Sequence, residues 1–356
     1  MMDPLSDTIP DTTLPTTLPT TLPWIEKYRP KILGDIISHE HIINTLKIFI
    51  NNRCLPHLLF YGPPGCGKTS TIMALSKELF GKYHTTMVME LNASDDRGIE
   101  VVRDKIKKFV MGQNVFFGNC IEDRDNIFKL VILDEIDAMT TDAQAILRKI
   151  IEQYTDNARF CLICNCVQNI IPALQSRCRL FRFSPLDQQH IQNYVNTVIK
   201  QEKLNVEPDA IQTIIRRASG DMRKVLNILQ STSMICDNVT TIQINNCLGY
   251  PHIIDIEQIF DSLIYKNFGD AYSNIISIKL NGGLSLGDII TEIHDILINY
   301  ILNKTTNIKY ITLMSDKQIM FILDKLRQIE ANHYSNTNEN IQCSGLIGIF
   351  KIALNT

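Results

Sequence analysis

The chain has 356 residues, of which 45% are hydrophobic and 21% charged, and its net charge is −3. That balance is ordinary for a globular protein, holds roughly two or three domains, and excludes a chain too polar to bury a core. It also excludes a globally basic nucleic-acid binder, so any DNA contact must come from a local basic surface. No apolar run reaches the roughly eighteen residues of a membrane span, and the N-terminus lacks the basic and apolar regions of a secretory signal. The ten cysteines are scattered, which suits a reducing compartment.

Residues 1–23 carry Thr-Thr-Leu-Pro three times, at 12–15, 16–19 and 20–23. Such a segment cannot bury a core and predicts a disordered or extended tail. Order is expected from Trp24-Ile25-Glu26-Lys27-Tyr28-Arg29-Pro30, followed by an amphipathic helix with Ile42, Ile43, Leu46, Phe49 and Ile50 on one face. Leu58-Leu59-Phe60-Tyr61 then reads as a strand. It feeds Gly62-Pro63-Pro64-Gly65-Cys66-Gly67-Lys68-Thr69-Ser70, a GxxxxGKT loop that opens a helix over 70–80. A strand, a glycine-rich loop and a helix in that order place several backbone N–H groups around a phosphate, at the positive end of the helix. Lys68 would reach the β- and γ-phosphates, and the Thr69 hydroxyl would take one position on Mg2+.

A strand is expected over 86–91, ending in the polar loop Asn92-Ala93-Ser94-Asp95-Asp96-Arg97-Gly98. The helix expected over 99–110 bears Arg103, Lys105, Lys107 and Lys108. Arg103 and Lys107 share a face, which suits a solvated surface and a row of DNA phosphates alike. Residues 111–128 read as a loop holding Val115-Phe116-Phe117 and the charged stretch Glu122-Asp123-Arg124-Asp125. The adjacent aromatics suit a docking wedge or a place in the domain's own core.

Lys129-Leu130-Val131-Ile132-Leu133 is a continuous apolar run, as for a strand covered on both faces, with Asp134 and Glu135 at its carboxyl end. Downstream of a phosphate loop, Asp134 would hold Mg2+ through a water molecule and Glu135 would orient or deprotonate the attacking water. Thr141-x-x-Gln144 has the form of a capping box opening a helix. Strands are expected over 160–164, ending at Asn165, and over 180–183, after Ser176-Arg177-Cys178. Cys161, Cys164 and Cys166 do not read as metal ligands, because side chains alternate along a strand and no second CxxC or paired His follows; they read as core cysteines. An isolated arginine such as Arg177 is ordinarily a solvated surface group.

Strands alternating with helices over 24–185 predict a parallel α/β sheet. From Ser184-Pro185 the strand pattern stops, and three helices follow before Gly249-Tyr250-Pro251. The remainder also reads as helical, the clearest segment carrying Ile289, Ile290, Ile293, Ile296, Leu297 and Tyr300.

The phosphate loop, Leu133-Asp134-Glu135, Asn165, Ser176-Arg177-Cys178 and Gly220-Asp221-Met222-Arg223 together resemble the AAA+ ATPases. With residues 24–30 and 91–98 added, the chain resembles the small subunits of replication factor C, the eukaryotic clamp loader. Motif words cover residues 24–235; the rest matches in helical character and length. The resemblance implies an AAA+ P-loop NTPase domain (24–185), a three-helix lid (186–249) and an all-helical collar that assembles with sister subunits (250–356). It implies ATP and Mg2+, with Ile25, Tyr28, Arg29 and Ile37 around the adenine. Asn165 would be a sensor of the γ-phosphate or the lytic water, and Arg223 a second sensor reporting nucleotide to the lid. Arg177 would be an arginine finger acting in trans, and Asn92 a polar switch holding Glu135 away until DNA binds.

Arg103 and Lys107 would touch DNA phosphates without reading bases, and Val115-Phe116-Phe117 would meet the sliding clamp, PCNA. The implied setting is a nuclear hetero-pentamer loading PCNA at primer–template DNA, with no membrane partner. A subunit shared with alternative loaders, or an ATP-dependent scaffold with little turnover, is the alternative. The chain departs from the family around residues 118–126, where it is longer, and acidic where relatives are basic.

Overall fold

The central strands of the sheet are apolar on both faces, and in the computed structural model the strands form the middle layer of an α/β sandwich. The structure describes residues 22–52, 54–93, 99–112, 128–303, 311, 314–334 and 338–355, and of residues 99–103, 333–334 and 355 the backbone only. The elements in chain order are α1 (Trp24–Lys27), α2 (Glu40–Asn51), β1 (Leu58–Tyr61), α3 (Lys68–Phe80), α4 (His84–Met87), β2 (Val88–Asn92) and α5 (Ile99–Met111). Next come β3 (Lys129–Asp134), α6 (Thr141–Gln153), β4 (Ala158–Cys164), α7 (Pro172–Gln175) and β5 (Arg179–Arg182). Then follow α8 (Gln188–Glu202), β6 (Asn205–Val206), α9 (Pro208–Ala218), α10 (Met222–Ile235), β7 (Asn238–Val239) and α11 (Thr241–Leu248). The C-terminal helices are α12 (Ile253–Tyr265), α13 (Phe268–Gly282), α14 (Leu286–Asn303), α15 (Asp316–Tyr334) and α16 (Glu339–Asn355).

β1 to β5 make a five-stranded sheet in the order β2-β3-β4-β1-β5, and every pairing is parallel. All strands therefore end on one edge, where an open parallel sheet forms its ligand crevice. The alternation of side chains sorts the strand residues into two cores. Leu59, Val131, Leu133, Phe160, Leu162 and Cys164 pack on one face; Leu58, Phe60, Leu130, Ile132, Cys161 and Ile163 pack on the other. Each such side chain contributes about 1.5–3 kcal/mol by leaving water.

Four local expectations change. Residues 84–87 are the helical turn α4, so β2 starts at Val88. Side-chain hydrogen bonds hold that turn against its β-branched threonines: Thr86 Oγ1 donates to the Tyr83 carbonyl at 3.0 Å, and Ser76 Oγ meets the His84 ring at 2.9 Å. The cap of α6 is Thr140, not Thr141; its hydroxyl accepts from the Ala143 N–H. Gln144 is therefore free for other work, and its buried amide joins Met139, Asn169 and Ile171. Cys166 is exposed, because β4 ends two residues earlier and the alternation stops with it. The segment expected to hold three helices holds α8 to α11 and the small parallel pair β6–β7.

By its contacts the chain divides into two compact units, one running to Asn196 and including Ala218–Asn227, the other formed by Thr197–Arg217 and Ile228 onward. The second unit has its own helical core, in which Phe260 and Phe350 meet edge-on with ring centres 6.0 Å apart. Among the described residues no helix is long and apolar enough to cross a membrane.

Candidate nucleotide site

β1 delivers the chain to the sheet's carboxyl edge, and the loop that follows depends on glycine at two close approaches. Gly62 lies at φ 146°, and a Cβ there would run into the Phe183 carbonyl. Gly65 lies at φ 71°, and a Cβ there would strike the Asp221 carboxylate. The loop then opens α3 with Gly67 as its N-cap, in a left-handed conformation and without a side-chain cap. The first turn of a helix has N–H groups with no carbonyl a turn earlier. Left uncapped by this chain's own side chains, they face the space where an anion would sit.

Lys68 is only 7% exposed. Its ammonium donates to the carbonyls of Gly62 (2.6 Å) and Pro63 (2.8 Å) and to Asn165 Oδ1 (2.9 Å). Burial pushes its pKa below the ordinary lysine value, opposed chiefly by Cys66 and Asp134. The Thr69 hydroxyl donates to Asp134 Oδ2 at 2.8 Å, while Asp134 Oδ1 accepts from the Glu135 N–H at 2.8 Å. Glu135 is exposed and left-handed at φ 56°, a conformation costing about 1 kcal/mol in a non-glycine residue. Asn92, at the end of β2, is in register with Asp134. P-loop, acidic pair, Asn92 and Asn165 are thus brought to one edge by four parallel strands.

Beside the loop is a cavity of about 440 Å3, within the usual range for a small-molecule site. Ile25, Tyr28, Arg29 and Ile37 line it, as do Gly65, Cys66, Gly67, Thr69, Ser70 and Arg223. Sequence reasoning missed Ile36, Leu186, Tyr194, Met222 and Leu226, which complete the apolar wall. The helical spacing of α8 and α10 hints at Tyr194 and Leu226, and nothing local marks Ile36 or Leu186, which lie outside both helices. Tyr194 fixes this wall by donating its hydroxyl to the Tyr28 carbonyl at 2.6 Å. Arg223 enters from the start of α10, whose N–H groups at Arg223 and Lys224 are capped by Asp221 Oδ1. Pro64 is the remaining loop residue, and its carbonyl accepts from the Cys66 thiol.

The groups present fit a nucleoside triphosphate: an uncapped helix start and a buried lysine for phosphates, beside an apolar cavity for a base. Thr69 and Asp134 offer a hydroxyl and a single carboxylate, the sparse oxygen set that suits a Mg2+ ion completed by phosphates and water. Among the described residues no group of three or more His, Cys, Asp or Glu gathers to hold a metal. Cys164 and Cys178 are poor ligands or nucleophiles, because burial pushes each thiol up to about 12.

Arg177 is not part of this cavity. It is exposed beyond α7, pairs with Glu152 of α6, and donates to the Ala173 carbonyl at 2.8 Å. On α5, Lys107 is exposed while Ile106 and Val110 are buried; the Arg103 side chain lies outside the described residues, as do Val115, Phe116, Phe117, the stretch 118–126 and the Thr-Thr-Leu-Pro tail to residue 21. A carboxylate that the motif reading passed over, Asp137, accepts from the backbone N–H groups of Asn165 and Cys166.

Residues 58–186 match the ATPase family associated with various cellular activities (AAA), and residues 251–348 match the replication factor C C-terminal domain. Replication factor C subunit 5 of Homo sapiens is 46% identical over 92% of this chain and 91% of its own length. Subunit 3 of Schizosaccharomyces pombe is 44% identical over 92% and 90%, and subunit 3 of Saccharomyces cerevisiae 42% identical over 92% and 92%. The words Pro172-Ala173-Leu174-Gln175-Ser176-Arg177-Cys178 and residues 220–230 resemble the same subunits, five in the human numbering and three in the yeast. In fold, a mutant of Thermotoga maritima RuvB superposes with a TM-score of 0.50 at 14% identity, over 75% of this chain and 92% of that one. An AAA-type ATPase domain carrying a complete phosphate loop, followed by the replication factor C C-terminal domain, makes this chain a member of the replication factor C subunit family.

Proposed function

We propose that this chain is an ATP-binding and ATP-hydrolysing subunit of a replication factor C clamp loader, and that its turnover drives loading of the sliding clamp PCNA onto primer–template DNA in the nucleus. The observation that carries the reading is the joint placement of Lys68, Thr69, Asp134 and Asn165, linked by hydrogen bonds of 2.8–2.9 Å at the mouth of the loop. Lys68 and the N–H groups opening α3 bind the phosphates, while the cavity edged by Ile25, Tyr28, Arg29 and Ile37 takes the base. Bound at Thr69 and Asp134, Mg2+ would neutralise charge on the phosphates. Glu135 takes a proton from water as its oxygen attacks the γ-phosphorus and the bond to the β-phosphate oxygen breaks. Asn92 holds Glu135 away until DNA is bound, and Arg223 reports the nucleotide to α10.

The exposed position of Arg177 supports an arginine supplied to a neighbouring subunit's ATP. Lys107 supports contact between α5 and DNA phosphates, with Arg103 on the same stripe, and Val115-Phe116-Phe117 would meet the clamp. Domain limits of 24–185, 186–249 and 250–356 remain part of the proposal, the last serving assembly into a hetero-pentamer. The test is Glu135→Gln in this subunit alone within the reconstituted complex. ATP turnover stimulated by primed DNA and clamp should fall, with assembly intact. Unchanged turnover and clamp loading would leave this chain an ATP-dependent scaffold.

A further inference from the structure

Asn165 stands one hydrogen bond from Lys68, yet nothing in its own strand determines where its amide points. β4 ends at Cys164, and both Asn165 and Cys166 are exposed. What fixes the backbone there comes from another segment. Beyond Glu135 the chain makes a single 3-10 turn, Ile136–Ala138. Ile136 is completely buried in the core beneath, and the Met139 N–H closes the turn on the Ile136 carbonyl at 3.1 Å. Asp137 is carried on this anchored turn. Its Oδ2 accepts the N–H of Asn165 at 3.0 Å and that of Cys166 at 3.1 Å. Two successive amides are thereby held on one carboxylate oxygen at the point where the chain leaves the sheet.

The same short segment, residues 134–137, therefore serves the site twice. Asp134 meets the loop directly through Thr69, and Asp137 acts through Asn165. A hydrogen bond to an ionised acceptor is stronger and more directional than one to water, so the carboxylate selects one backbone orientation where solvent would permit several.

We infer that Asp137 is a positioning residue for the nucleotide site: by holding the Asn165 and Cys166 N–H groups it aims the Asn165 amide at Lys68 and at the terminal phosphate beside it. The inference rests on the ATP-binding reading above. It predicts a loss confined to the nucleotide that has a third phosphate.

The experiment is equilibrium binding of ATP and of ADP, each with Mg2+, to the purified full-length chain. Asp137→Ala should weaken ATP binding about tenfold, the worth of one well-placed hydrogen bond to a charged group, and leave ADP affinity unchanged. Asp137→Asn keeps an acceptor oxygen and should restore most of the loss. In an Asn165→Ala background, Asp137→Ala should add nothing. Equal loss for ATP and ADP, or an additive loss in that background, would overturn the inference and leave Asp137 a structural turn residue. Neither readout needs turnover. A null result for Glu135→Gln in the assembled complex would therefore remove the hydrolysis reading while the ATP-over-ADP comparison still decided the role of Asp137.

Discussion

The Thr69 hydroxyl and the Asp134 carboxylate share a hydrogen bond of 2.8 Å although 65 positions of chain separate them. One belongs to the helix that follows β1, the other to the end of β3, and the parallel sheet brings both to one edge. Asp134→Asn keeps an oxygen to accept from Thr69 but removes the charge a divalent cation needs. It should leave thermal unfolding nearly unchanged while lowering Mg2+-dependent ATP turnover by roughly 100-fold, the scale of losing one major electrostatic group. A Mg2+ titration of ATPase activity checks this, with activation displaced to higher concentration.

Arg177 is held by Glu152, which also accepts from Arg148 Nε at 3.1 Å. Hydrogen bonding from Arg148 first, and then the charge of both arginines, draws the Glu152 carboxyl below its ordinary range. Arg177→Ala should leave ATP affinity of the separate chain within about twofold and depress turnover at the adjacent site of the complex by roughly 10³-fold, the low end for an arginine supplied in trans. Nucleotide titration of the chain and single-turnover hydrolysis by the complex separate the two effects. Equal loss in the separate chain would place Arg177 in its own site.

His57 is buried next to β4, where Nδ1 accepts from the Phe160 N–H at 3.2 Å. Burial, and then the neighbouring Arg159 guanidinium, lower its pKa from 6.5 to about 4. The unfolded chain then binds the proton first, so this contribution to stability is complete above pH 6.5 and is lost as pH falls toward 4. Thermal unfolding across that window should show a slope that His57→Gln removes in part, while above neutral pH this group contributes no slope.

In the helical unit, Glu292 of α14 accepts from Arg217 at 2.6 Å and from Arg216 at 3.0 Å. Glu292 and Arg217 are nearly buried, and the Arg217 guanidinium lies 4.2 Å from the Tyr250 ring centre. Removing one member of such a pair strands the other charge. Glu292→Ala should destabilise by about 3–5 kcal/mol, and Glu292→Ala with Arg217→Met should recover part of it. Denaturant unfolding of Glu292→Ala, Arg217→Met and the double variant measures the coupling.

The parts of the site legible in the sequence are those set by short spacing. The GxxxxGKT loop and the acids after Leu133 each lie within one turn or strand end, so local pattern was enough for them. The sheet was legible for a related reason, since apolar runs separated by helical patterns leave few other arrangements. What escaped depends on contacts between distant segments. Tyr194 and Leu226 carry ordinary helical spacing, Leu186 precedes α8, and nothing local says that they face a cavity. Thr140 and Thr141 are equally good caps on paper; Gln144 decides between them by turning inward to Asn169 and Ile171. Asp137 looks like an ordinary turn acid until β4 is placed beside it.

The three oxygens around the Lys68 ammonium are two carbonyls and one amide. None of these direct partners carries a charge, so a phosphate arriving at the loop competes with dipoles and not with a built-in anion. Asn165→Asp changes no more than an amide into an acid, yet it would supply that anion permanently. The lysine would be neutralised from within, and ATP affinity would drop while the fold stayed intact. Readiness to accept the nucleotide thus depends on one nitrogen atom in a side chain 97 positions away from the lysine it steadies.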